Sequence, residues 1–118
     1  MPTLRKGDCI MMFVDTYNAI EGFHNYENAP EFCSYLRFRH RHIFVIRCKF
    51  KVSKANREIE INQAQNDIEK YINERFGKPC EFGNMSCEMI GQMLLEQYPS
   101  LEQVQVLEDG YGGATLTR

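Results

Sequence analysis

At 118 residues, 43% of them hydrophobic and 25% charged, the chain predicts one domain over residues 1–118, large enough for a buried core and too small to divide. A formal charge of −2 excludes the overall basic field that draws a protein to nucleic acid, so any charge-driven partner must meet a local patch. The longest apolar run, around Ile10 to Val14, is far shorter than the ~20 residues of a membrane-spanning helix, so no membrane partner is expected.

Asp8 to Ile20 reads as a long strand of apolar and β-branched residues after the polar start Arg5-Lys6-Gly7. Glu21 to Leu36, with Gly22, Asn25, Asn28 and Pro30, reads as an irregular connection. From Arg39 to Val52 a second strand alternates cleanly. His40, His42, Phe44, Ile46, Cys48, Phe50 and Val52 share one face, and Arg39, Arg41, Arg47, Lys49 and Lys51 the other. Asn62 with Gln65 has the form of a capping box, and Ala64, Ile68, Tyr71, Ile72 and Phe76 form the apolar stripe of a helix that Gly77 and Pro79 stop. A second helix begins near Ser86, turns Ile90, Met93, Leu94 and Tyr98 inward and ends at Pro99. Two short strands follow, Gln103 to Glu108 and Ala114 to Thr117, with Gly110, Gly112 and Gly113 between them. Strand, strand, helix, helix, strand, strand is an α+β order, and no repeat or linker interrupts it.

The chain has three histidines, His24, His40 and His42. In an extended strand His40 and His42 project from the same face, close enough to chelate one ion. A third histidine from a neighbouring segment completes the three-ligand set of a catalytic zinc, with the fourth position left for water or substrate. The plainer alternative is an ordinary packed or surface pair. Glu108 counts by twos onto the face of Val104 and Val106, so a carboxylate there needs a partner or a ligand unless the strand stops at Leu107.

These residues, in this order, resemble the tunnelling-fold (T-fold) family, nearest the 6-pyruvoyltetrahydropterin and 6-carboxytetrahydropterin synthases. The carriers of the likeness are a histidine after the first strand, a His-x-His-aromatic opening the second, Ser86-Cys87-Glu88 at a helix start, and Val104-x-Val106-x-Glu108. The resemblance implies a ββααββ fold, with an antiparallel four-stranded sheet and two helices on one face. It implies Zn2+ on His24, His40 and His42, and a pterin- or purine-like heterocycle held by Glu108 with Ser86, Cys87 and Glu88. It implies lyase-type chemistry and a homo-oligomer with pockets between subunits. Cys33 is the candidate for the family's catalytic cysteine. Two departures stand out: Arg41 replaces the family's glycine between the paired histidines, and the Asp-His proton relay is absent, because no histidine follows His42. A non-catalytic protein that binds or sequesters the heterocycle is therefore the alternative.

Other patterns carry less. A cupin also uses His-x-His, but Arg47 stands where its glutamate belongs, and two helices argue against it. Arg37-Phe38-Arg39-His40-Arg41 has the interleaving of a nucleic-acid stripe, yet reads better as a solvated strand face balanced by acids such as Glu58 and Glu60. Arginines 37, 39 and 41 also suit a ligand's phosphates. Glu21 and Glu27, near His24, are loop carboxylates open to acid or base work. Cys9, Cys33, Cys48, Cys80 and Cys87 form no C-x-x-C pair and follow no leader, which predicts reduced thiols in a cytoplasmic compartment.

Overall fold

A computed structural model describes residues 10–118. The expected strand start at Asp8, the Arg5-Lys6-Gly7 segment before it and Cys9 lie outside the described residues. In chain order the elements are β1 (Met12–His24), a 3₁₀ segment (Glu31–Arg37), β2 (His40–Val52), α1 (Ile61–Phe76), β3 (Cys80–Gly83), α2 (Cys87–Gln97), β4 (Leu101–Glu108) and β5 (Gly112–Thr117).

The sheet has five strands in the order β3-β1-β2-β4-β5. The α+β class holds, and β1, β2, β4 and β5 pair antiparallel as expected. The sheet as a whole is mixed rather than four-stranded and antiparallel, because β3 adds a parallel strand beside the end of β1. Cys80 and Phe82 drive this pairing by burying their side chains, at 0% and 3% exposure, while Glu81 points out.

Phe44, Ile46, Cys48 and Phe50 of β2 and Val104 and Val106 of β4 turn inward against Ile68 and Ile72 of α1 and Ile90, Met93 and Leu94 of α2. Both helices thus cover one face of the sheet. No helix among the described residues is long and apolar enough to cross a membrane. The described cysteines, Cys33, Cys48, Cys80 and Cys87, are free and buried.

Three local expectations need correction. First, β1 does not break at Glu21 but continues to His24. Gly22 is there because Phe82 packs against its backbone: a Cβ at position 22 would stand 2.6 Å from Phe82 Cε2. Second, the cap of α1 is Glu60, whose carboxylate accepts the Gln63 N–H at 2.6 Å. Gln65 instead reaches back to the sheet, where its side-chain oxygen accepts the Tyr17 N–H at 3.0 Å.

The third concerns the basic strand face, which is balanced by other acids than Glu58 and Glu60. Arg41 pairs with Glu21 at 2.5 Å, Arg37 with Glu31 at 3.6 Å, and Arg39 with Glu81. The Arg39 guanidinium also lies 3.5 Å from the Phe23 ring centre. Glu58 serves instead to accept N–H groups from Ser53 and Lys54.

Candidate metal centre

Antiparallel pairing sets His24, the last residue of β1, directly opposite His40, the first of β2. His42 follows two places along β2, on the same face as His40. The three rings therefore meet edge to face, with centres 4.6 Å apart for His24 and His40, 5.0 Å for His40 and His42, and 5.3 Å for His24 and His42. The Phe44 ring forms their floor, 5.1 Å from His24 and 5.7 Å from His42.

Each ring is oriented through Nδ1. That atom donates to the Met85 carbonyl at 2.9 Å in His24, to the Phe38 carbonyl at 2.9 Å in His40, and to Asp109 Oδ2 at 2.7 Å in His42. With every Nδ1–H committed to an acceptor, the neutral rings are fixed in one tautomer and present the Nε2 lone pair. In His24 and His42 the Nε2 is buried without a hydrogen-bond partner. One ring nitrogen from each histidine lies within 4.8 Å of the others. Orphaned lone pairs converging on a point, each backed by an acceptor behind the ring, make a cluster fit to hold a metal ion. Burial also pushes the His24 pKa below its ordinary value, which favours the neutral, ligating form.

Elements far away in sequence build this geometry. β3 fixes the end of β1: Gly83 accepts the Asn25 N–H at 2.8 Å, and the chain leaving β3 delivers the Met85 carbonyl to His24. The turn between β4 and β5 supplies Asp109. Asp109 and Gly110 both adopt left-handed backbone, with φ of 55° and 79°, and the Asp109 carboxylate also accepts the Ile43 N–H at 2.8 Å. These two bonds hold the Asp109 carboxyl below the ordinary carboxylate range, the one from His42 contributing most.

The cluster opens into a cavity of about 750 Å³, to which Tyr26, Met89 and Tyr111 contribute. Glu108 lines it, facing the rings: Oε1 is 3.4 Å from His24 Nε2 and Oε2 is 3.2 Å from His42 Nε2. Ser86, Cys87 and Glu88 line it too. Ser86 caps α2, its hydroxyl accepting the Met89 N–H at 3.2 Å. The Cys87 thiol donates weakly to Glu108 Oε1 at 3.8 Å, and burial, reinforced by Glu108 and Glu88, pushes its pKa up to about 12. It therefore stays protonated near neutrality.

Cys33 sits apart. It is buried at the kink of the 3₁₀ segment and does not line the cavity. Glu21 lies on the opposite face of the sheet, paired with Arg41, and Glu27 lies beyond the end of β1, its N–H bonded to Asn84. Asp109, Met85 and Phe38 were not singled out in the sequence. The Asp-Gly pair after Glu108 was the available signal for Asp109, whereas a backbone carbonyl leaves no mark on residue type.

No protein-family model matches the chain, and no curated protein matches it. Fold and site together define an α+β protein with a three-histidine cluster that can hold a metal ion at the base of a cleft.

Proposed function

We propose that this chain is a zinc-binding T-fold protein, similar to the 6-pyruvoyl- and 6-carboxytetrahydropterin synthases, acting on a pterin- or purine-like substrate by lyase-type chemistry. The observation that carries the reading is the convergence of Nε2 atoms whose Nδ1–H groups are all bound from behind. The antiparallel β1-β2-β4-β5 core with two helices on one face supports the family resemblance, and β3 is an addition to it.

Zinc held by His24, His40 and His42 would supply a Lewis acid that polarises a carbonyl or hydroxyl oxygen of the substrate. Glu108 supplies a carboxylate at the cavity wall to accept the paired N–H groups of a guanidine-like heterocycle edge. Phe44 keeps water from the underside of the rings. Ser86 shapes the wall by starting α2, and Cys87 offers a neutral S–H.

A second reading, binding or sequestration of the heterocycle without turnover, is favoured by one specific observation. All three histidines are used in the cluster, and Cys33 is buried away from the cavity, so the usual proton relay has no obvious substitute. Among the described residues β5 has no strand on its outer side and β3 pairs with β1 only at its end; with exposed Phe32, Tyr35, Phe38 and Tyr111, this supports assembly into a homo-oligomer whose subunits share the cavities.

The deciding experiment measures zinc content, calorimetric binding of pterins, guanine nucleotides and deazapurines, and turnover of a dihydroneopterin triphosphate-type compound. Zinc with turnover supports the enzyme, and zinc with binding alone supports sequestration. Absence of zinc from carefully prepared protein rejects the metal site and the zinc enzyme with it, and absence of heterocycle binding rejects sequestration.

A further inference from the structure

Glu108 approaches the histidine cluster in a way that ligand anchoring alone does not explain. With Nδ1 of each ring donating to its own acceptor, Nε2 of the neutral His24 and His42 rings carries a lone pair. A carboxylate oxygen also offers only lone pairs, so two such contacts, at 3.4 and 3.2 Å, repel unless a cation lies between them. Bridging both contacts with protons would set two imidazolium cations side by side, ring centres 5.3 Å apart, whereas one metal ion spans both. Zinc bonds of about 2.0–2.1 Å to imidazole nitrogen and carboxylate oxygen set the edges of a tetrahedral site at about 3.3–3.4 Å. One edge is met by each carboxylate oxygen, Oε1 against His24 and Oε2 against His42, as for a carboxylate facing the ion and able to bind it through either oxygen.

We infer that Glu108 is the fourth protein ligand of the metal in the ligand-free protein, closing the coordination position that a small molecule would otherwise take. This inference rests on the three-histidine metal reading and deepens it. The residue is well placed to yield that position: its side chain lines the cavity and is 37% exposed, and Cys87 binds it only through a weak S–H donor. A ligand that engages the carboxylate by N–H groups draws Glu108 off the metal and so opens the centre. Anchoring and metal access then become one event, and a ligand lacking such donors leaves the centre closed.

The test uses the full chain loaded with Co2+, whose visible spectrum reports ligand set and coordination number, and azide as the probe of an open position. Circular dichroism verifies folding of wild type, Glu108→Ala and Glu108→Gln. The inference expects Co2+ affinity to fall at least about tenfold in Glu108→Ala, since even outer-shell losses cost that much. It also expects azide to shift the spectrum of Glu108→Ala but not that of wild type, with Glu108→Gln between them because its amide oxygen is a poorer ligand. Equal Co2+ affinity in all three proteins, with azide shifting wild type as strongly as Glu108→Ala, overturns the inference and leaves the three-histidine centre intact. Failure of wild type to take up Co2+, or equal uptake by a His40→Ala, His42→Ala double variant, overturns the centre itself.

Discussion

Asp109 and His42, 67 positions apart in the chain, meet through a 2.7 Å hydrogen bond from the imidazole Nδ1–H to Oδ2, while the other carboxylate oxygen takes the N–H of Ile43. One side chain thus orients both a candidate ligand and the strand that carries it. Asp109→Asn keeps a residue tolerant of left-handed backbone but has one acceptor oxygen for two donors. The expected outcome is a 10–100-fold loss of metal affinity, on the order seen for such supporting partners, with the fold retained. Chelator competition measures it, and unchanged affinity would mean that His42 needs no acceptor behind it.

Gly22 couples the core to the end of β1. An alanine methyl there would press on Phe82 at 2.6 Å, and Phe82 in turn packs against Phe44 beneath the histidine rings, with centres 4.9 Å apart. Gly22→Ala is expected to destabilise the fold by about 1–3 kcal/mol, as overpacking does. Denaturant unfolding checks the stability. Metal titration of the folded variant is expected to show weaker binding, because His24 and Phe44 share the disturbed region.

The cap of α1 gives a pH-dependent prediction. N–H groups of Gln63, first, and Asn62 bind the ionised Glu60 carboxylate and hold its pKa below the ordinary 4.5. A depressed folded-state pKa contributes stability above the unfolded value and loses it as pH falls through the lowered one. Glu60→Ala should therefore lower the melting temperature at neutral pH by a few degrees. The gap to wild type should narrow as the pH falls below 4.5. A gap that persists undiminished at about pH 2 would show that the charge of Glu60 contributes nothing.

Self-association is expected from the exposed aromatic residues and from β5, which has no outer strand partner among the described residues. Phe32, Phe38 and Tyr111 are 86%, 75% and 91% exposed, rings that a second copy could cover. Sedimentation velocity should show a tetramer or a trimer-based hexamer, and a Phe32→Ser, Phe38→Ser double variant should shift it toward smaller species. Wild type sedimenting only as monomer at micromolar concentration would refute shared cavities.

Long, regular signals were legible in the sequence. β2 was readable because thirteen residues keep a period of two, which also placed His40 and His42 on one side. Glu108 was readable because β4 keeps the same period through Val104 and Val106. β3 was not, since four residues after a proline give too little pattern, and its strand character comes from packing of Cys80 and Phe82. Gly22 was taken for a break because composition does not reveal that a ring from elsewhere fills the space above it. Asn62 was taken for the cap of α1 because the pattern Asn-x-x-Gln is common to many starts, while the choice of Glu60 depends on backbone geometry.

The parallel strand β3 has a consequence for the order in which the molecule becomes functional. His24, His40 and His42 belong to one local hairpin, yet Met85 and Asp109, which aim two of those rings, lie 61 positions after His24 and 67 after His42 and are made later. A nascent or truncated hairpin has the ligands without their aim. Tight metal uptake by this cluster would thus wait until β3 and the β4–β5 turn have docked. An ion that binds the folded chain in preference to the unfolded one would add to stability in proportion to the logarithm of its free concentration once the site saturates. For a protein that takes up the ion, abundance would then follow metal availability, since the unloaded chain unfolds more readily.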